Sequence, residues 1–193
     1  HLTGTSPNRV ILGFMLATAL LSMWISNTAT TVVMLPIASS VIALLITDED
    51  GFTKKDKNFA ISVMLGIAFS ANSGGIAALI GTPPNSVMVG LLENEYNIQI
   101  SFVRWMIFGV PLSALLIAIS YVLMVYVIFP SKGLKFNATN NVIKSQLDEM
   151  GPLSGKEKQV LTIFGITVFL WIFRALINQL FPELKLSDSS ISL

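Results

Sequence analysis

Two short polar runs interrupt long apolar stretches, and both hold atom types that bind small ions. Ser26-Asn27-Thr28 offers a side-chain carbonyl oxygen, two hydroxyls, an amide donor and whatever backbone groups a turn sets free. Oxygens of this kind suit a hard monovalent cation, and the hydroxyl and N–H donors suit a carboxylate. Thr30 and Thr31 begin the segment that follows, and the positive end of a helix starting there favours an anion. Ser22 stands four residues before Ser26, which on a continuous helix is the same face, so it can add an oxygen. The bland alternative for such a serine is a hydroxyl bonded back to its own helix. Gly81-Thr82-Pro83-Pro84-Asn85 offers similar chemistry: neither proline has an N–H, carbonyls are left exposed, and Gly81 admits a close approach. A simple proline kink is the bland reading there.

The stretches around these runs set their depth. Hydrophobic residues make up 53% of the 193 and charged residues 12%, about half the charged share of ordinary soluble domains. Val10–Thr47, Asn58–Leu92, Trp105–Ser131 and Gln159–Phe173 contain no charge, and about 20 apolar residues cross a hydrocarbon core. An all-α polytopic membrane protein is therefore expected. Within 10–46, apolar arms of 16 and 15 residues flank the six residues SNTATT. Arms this short around a neutral tip predict a re-entrant hairpin that turns inside the membrane, where irregular backbone survives only against protein or a water-filled cavity. Residues 58–92 number 35, about 52 Å if wholly helical, too long for one straight span. Breaks are expected at Asn72-Ser73-Gly74-Gly75 and at Gly81–Asn85, with the unwound part near the second. Thr82 lies 25 residues past Lys57, further than half a bilayer requires, which implies tilt or a first turn in the interface.

This organisation predicts a transport-type unit over 1–92, with the hairpin 10–46 and a broken helix 58–92. Residues 93–193 then hold two spans, Phe102–Pro130 and Gln159–Phe181, a cytoplasmic loop 131–158 and a truncated C-terminal segment. Glu93–Ser101 reads as a polar connection. The polar opening His1–Arg9, with no initiator Met and no signal peptide, and the stop at Leu193 lead us to expect a fragment.

Two unwound polar segments in neighbouring interrupted helices suggest a carrier that binds at broken helices. The run Ser22-Met23-Trp24-Ile25-Ser26-Asn27-Thr28-Ala29-Thr30-Thr31-Val32-Val33-Met34-Leu35-Pro36, followed by Asn72-Ser73-Gly74-Gly75 and Gly81-Thr82-Pro83-Pro84-Asn85, resembles the divalent anion:sodium symporter family. The resemblance covers essentially the whole chain. It implies sodium-coupled symport of a di- or tricarboxylate or sulfate-like anion by alternating access. It also implies that Ser22, Ser26, Asn27 and Gly81 hold a sodium ion. Asn27 and Thr28 then hold a substrate carboxylate, with Thr82 and Pro83 lining the same cavity. Family members carry a second Ser-Asn-Thr hairpin and a second Thr-Pro-Pro loop in an inverted repeat. Neither occurs here, so half a substrate site is expected and no second sodium site. The expected partners are the anion, sodium, the lipid bilayer of the plasma membrane and a second copy in a homodimer.

Other classes fit less well. A net charge of +1 gives no attraction to nucleic acid, and the absence of cysteine excludes thiolate metal sites. His1 is the only histidine and most carboxylates lie in polar loops, so no acid–base pair for an enzyme is in view. A channel is the main competitor, although filters usually come from symmetric rings. A sodium-independent anion exchanger on the same scaffold is another; proton coupling would want a titratable residue near the tip, and 10–47 has none. Arg174 is an intramembrane candidate, yet stands seven residues before Phe181, close enough to snorkel, and is left out of the site. Asn137-Ala138-Thr139 matches a glycosylation acceptor on the wrong side of the membrane.

Nine of the twelve Lys and Arg residues (Arg9, Lys54, Lys55, Lys57, Lys132, Lys135, Lys144, Lys156 and Lys158) fall on one side of this topology, which marks it as cytoplasmic. Cysteines placed at Arg9 and Lys54 of the full-length protein are therefore expected to react only with reagents admitted to the cytoplasm. Labelling of either from outside sealed cells would reverse or break the topology.

Overall fold

The computed structural model describes residues 6–46, 53–130, 134 and 154–181. The expected loop segments 47–52 and 135–153, the Asn137 acceptor sequence and everything beyond Phe181 lie outside the described residues. The described chain is all-helical, with no strand among those residues.

Helix α1 is Pro7–Ser22 and α2 is Asn27–Leu45. Pro7 fits the first turn of α1, where no intrahelical donor is needed. Amides of Trp24 and Ile25 both donate to the Leu21 carbonyl, closing the last turn before the chain reverses. Ser26 caps α2 by accepting the Ala29 N–H at 3.3 Å. The tip is thus Met23–Ser26, and not SNTATT: Asn27–Thr31 already belong to α2. Ser22 and Ser26 therefore do not share a helical face, because the helix ends between them. With 19 residues, about 28 Å, α2 is also longer than the expected arm.

Helix α3, Lys54–Ala77, opens on a capping box in which Thr53 and Asp56 satisfy each other's backbone amides. It runs unbroken through Asn72-Ser73-Gly74-Gly75, which corrects the expected first break. Those glycines serve approach instead. A Cβ on Gly74 would fall inside the Ala19 backbone of α1, and one on Gly75 inside the Asn27 amide. The chain unwinds only over Ala78–Thr82, and α4, Pro83–Tyr96, starts with both prolines in its first turn. Pro84 and Asn85 are helical, and α4 extends into the expected polar connection before Asn97 (φ 54°) turns the chain in the left-handed region.

Helix α5 is Phe102–Val122, continued by a π-helical end over Leu123–Ile128, where the Phe129 N–H reaches back to the Met124 carbonyl. Helix α6, Gly155–Leu180, begins four residues before the expected Gln159, because Ser154 and Glu157 form a second capping box. Its amide bonds hold the Glu157 carboxyl below the usual range. Asn27–Leu45, Lys54–Ala77 and Phe102–Ile128 are each long and apolar enough to cross a membrane.

Helices α1, α2, α3 and α5 share one core, built around Ile11, Met15, Phe59, Val63, Ile67 and Ile117. Cross-contacts fix the levels. A Cβ on Gly109 would meet the Ile76 and Ala77 carbonyls at 2.7 and 2.8 Å, so α3 ends about 10 Å along α5 from Phe102. At the other end Tyr121 Oη donates to the Asn8 carbonyl, and Asn58 Nδ2 donates to that of Pro130. The hairpin tip, in contact with Gly75, therefore turns about one and a half to two helical turns short of the start of α5. Above it a second cluster gathers Ala78, Leu79, Phe102 and Trp171, with Trp24 stacked on Phe102 at 6.2 Å and edge-on to Phe164 at 5.3 Å.

The α1–α3 contact leaves no room for a side chain at Gly74, whereas a Cβ on Gly90 of α4 would meet nothing within 4 Å. In thermal unfolding of the full-length protein, Gly74→Val is expected to cost about 1–3 kcal/mol by forcing α1 away. Gly90→Ala is expected to gain about 0.5–1 kcal/mol from helix propensity alone. Equal stability for both variants would mean that α1 and α3 do not touch at the backbone.

Candidate functional site

The site is built where the tip of the hairpin meets the break between α3 and α4. Ser22 ends α1, is fully buried, and its Oγ lies 2.8 Å from Asn27 Oδ1 and 2.7 Å from the Ala71 carbonyl. The bland reading of a membrane serine applies one turn earlier, at Thr18, whose hydroxyl donates to its own helix at the Phe14 carbonyl. Ser22 instead points across the gap between α1 and α3. Its single proton faces two acceptors, so one oxygen pair is left without a hydrogen between them.

The orientation of Asn27 follows from the chain of donors beyond it. Asn27 Nδ2 donates to Asn72 Oδ1 at 3.2 Å, and Asn72 Nδ2 donates to the Ala68 carbonyl at 3.2 Å. Asn27 Oδ1 is thereby turned inward, to Ser22 and the face of Gly75. Gly81 is buried on the opposite wall. Its missing Cβ would lie 2.6 Å from the Gly75 carbonyl oxygen and 3.0 Å from that of Met23. Three oxygens, from Ser22, Asn27 and Ala71, are thus in direct contact, the carbonyls of Met23 and Gly75 both face Gly81 beside them, and no charged side chain occurs anywhere in 10–47 or 58–92. Among the described residues, no three His, Cys, Asp or Glu stand together as a metal group. Neutral oxygens of this kind fit a hard alkali cation, and lack the carboxylates a tight divalent site uses.

Of the residues expected to hold sodium, Ser22, Asn27 and Gly81 come together. Ser26 is adjacent in the chain, but its hydroxyl caps α2 and its side chain is exposed. Of those expected to meet the anion, Asn27 is half-buried, Thr28 is exposed on the first turn of α2, and Thr82 and Pro83 start α4. The N-termini of α2 and α4 therefore open beside the same spot. Pro83 and Pro84 have no N–H, so α4 contributes its dipole there without backbone donors from its first two residues. Thr82, the N-cap of α4, makes no side-chain capping bond.

Several residues escaped the sequence reading. Asn72 was assigned to a break and is instead the helical partner that orients Asn27. Asn85, 7% exposed, donates from Nδ2 to the carbonyls of Gly75 and Ala78, both at 2.9 Å. Trp105 Nε1 donates to the Ile76 carbonyl at 2.9 Å. A polar side chain within a few residues of a broken helix was the available signal for the first two. Nothing in the sequence marks the third.

The whole sequence, residues 1–193, matches the family described as the sodium:sulfate symporter transmembrane region. The sodium-dependent dicarboxylate transporter SdcS of Staphylococcus saprophyticus is 36% identical over 173 residues, which is 89% of this chain and 33% of that protein. SdcS of Staphylococcus aureus strain USA300 is 36% identical over 176 residues, 90% of this chain and 34% of the relative. The chain spans about a third of the length of these curated relatives. With the fold, the motifs and the match in agreement, this chain belongs to the sodium:sulfate symporters, the divalent anion:sodium symporter family of integral membrane transporters, and not to an enzyme family.

Proposed function

We propose that this chain supplies one half of the sodium and anion site of a sodium-coupled carrier in the plasma membrane. Its cargo is a di- or tricarboxylate or a sulfate-like anion, moved by alternating access. The observation that carries this reading is the buried Ser22 hydroxyl held between two acceptors, Asn27 Oδ1 and the Ala71 carbonyl. A cation satisfies all three oxygens at once, where one proton cannot. Ser22, Asn27 and Gly81 are then the sodium residues, and Ser26 joins them through its backbone or by releasing its cap. On the outer side of the same amide, Asn27 Nδ2, the Thr28 hydroxyl and the uncommitted Thr82 hydroxyl are donors for one carboxylate, and Pro83 shapes the wall. The names of the staphylococcal relatives, sodium-dependent dicarboxylate transporters, support a dicarboxylate among the anions.

Re-entrance of the hairpin 10–46 is part of the same reading. Its support is the level of the tip, about 10 Å inside the start of α5, where Trp24 of the tip stacks on Phe102 of the apolar cluster that also holds Trp171. We also retain the division into a transport-type unit over 1–92 and a second part over 93–193. The long exposed apolar rows of α5 and α6, among them Ile107, Phe108, Leu115, Ile163 and Phe169, suit lipid and a second copy of the full-length chain.

Because Asn27 offers its oxygen to one ligand and its NH₂ to the other, sodium and anion share a residue. Linkage then requires each to raise the other's affinity by the same factor. Calorimetry of succinate binding to the full-length protein, across a sodium series at constant ionic strength, is expected to show that rise. Asn27→Ala is expected to weaken succinate binding by about 1–3 kcal/mol, and Ser22→Ala to raise the sodium needed for half-saturation. Sodium-independent binding with both variants unchanged would point to an exchanger or a pore.

A further inference from the structure

A helix that breaks in hydrocarbon leaves its last carbonyls without amide donors. Helix α4 returns few of them, because Pro83 and Pro84 have none to give. Asn85, the third residue of α4, replaces them from its side chain, holding Gly75 O and Ala78 O with one NH₂ group at 2.9 Å each. Its own backbone N–H closes the turn onto the Thr82 carbonyl at 3.1 Å, and the next residue, Ser86, reaches the Leu79 carbonyl at 3.3 Å. One buried amide therefore ties the end of α3 to the start of α4 across the unwound segment.

The Gly75 peptide that Asn85 grips is also the one between the two walls of the ion site. The Asn27 amide packs on Gly75 where a Cβ would be, and the Gly75 carbonyl is the atom nearest the missing Cβ of Gly81. We infer that Asn85 is a positioning residue for the sodium half of the site. Its amide fixes the Gly75 peptide, and through it the spacing between Asn27 and Gly81, without touching either ion. Asn85 has this role only if the sodium site proposed above is real.

Trp105 provides the contrast. It caps the neighbouring Ile76 carbonyl at 2.9 Å from α5, the carbonyl on which Gly109 also packs, and does not hold the Gly75 carbonyl that faces Gly81. If Asn85 mattered only for the stability of a broken helix, losing either cap would have the same kind of consequence. A positioning role separates them.

The test measures succinate binding by calorimetry on full-length protein, with sodium titrated against choline, for wild type, Asn85→Ala, Asn85→Ser and Trp105→Phe. Thermal unfolding is recorded for each. Asn85→Ala is expected to raise half-saturating sodium about five- to tenfold, the equivalent of one net hydrogen bond, with Asn85→Ser between it and wild type. Succinate affinity at saturating sodium should be unchanged. Trp105→Phe should lower the unfolding temperature and leave half-saturating sodium where it was. Wild-type sodium dependence in Asn85→Ser, or an equal shift in Trp105→Phe, overturns the inference, and if Asn85→Ala fails to fold the serine variant decides alone. A wild type that binds succinate without sodium overturns the proposed function and this inference together. A sodium-dependent wild type with unshifted Asn85 variants overturns only the second.

Discussion

Backbone carbonyls freed inside an apolar environment must find a partner within the protein, and this constraint organises the chain around residues 75–82. The end of α3 is capped by three different devices. Asn85 takes the carbonyls of Gly75 and Ala78, Trp105 takes that of Ile76, and the Gly81 N–H folds back on Ala78. Each device comes from a different direction, so the broken segment is held by α4, by α5 and by itself. Unsatisfied, each such group would cost on the order of 1–3 kcal/mol. The Gly75 carbonyl, which Asn85 already caps, also faces Gly81, and the Gly75 backbone packs on the Asn27 amide. The end of α1 and the start of α2, with Ser22 and Asn27, are thus set against the last turn of α3.

Close approach makes that arrangement possible. Gly74, Gly75, Gly81 and Gly109 all sit where a Cβ would collide with backbone or with the Asn27 amide. Their value here is the space they leave and not backbone freedom, since none of the four has a φ in the left-handed region. Helix α3 is thereby in backbone contact with α1 on one side and with α5 on another, and the break moves only if those contacts move. The aromatic cluster of Trp24, Phe102 and Trp171 adds an apolar boundary beside the tip. Such a boundary strengthens the electrostatic interactions beneath it.

This pattern explains what the sequence disclosed and what it did not. The second break was legible because two consecutive prolines cannot continue a helix, and the segment that ends there is too long for one span. The supposed first break was misread because glycine pairs look the same whether they unwind a helix or admit a neighbour, and the neighbours are Ala19 and Asn27, far away in the chain. The hairpin tip was placed a few residues late because polarity was taken as the sign of irregular backbone. In fact the apolar residues Met23–Ile25 make the link, and the polar Asn27–Thr31 are helical. Ser22 and Asn27 were legible from residue type, and Ser22's escape from the usual i−4 bond was not, because its partner at Ala71 lies 49 residues away. Asn85 was marked only by its place in the Gly-Thr-Pro-Pro-Asn run, and Trp105 by nothing, because the carbonyls they bind carry no residue-type signature.

The absence of charge around the site bears on how such a device would couple two ions. A carboxylate among the ligands would hold sodium without help from the anion, and a lysine or arginine would hold the anion without sodium. Residues 10–47 and 58–92 offer neither. With only neutral oxygens and amide dipoles to replace water in this half of the site, either ion alone would meet an incomplete substitute for its hydration here. On the proposed reading, their mutual attraction in a medium of reduced dielectric, bridged by the two ends of the Asn27 amide, would be the term that makes joint occupancy better than single occupancy. A coupling of about 1–3 kcal/mol, the usual range between linked sites, is enough to favour the loaded and empty states over the half-loaded one. On this reading the neutrality of the tip is what ties the fate of one ion to the other, and a titratable group near Asn27 would weaken coupling even while it tightened binding.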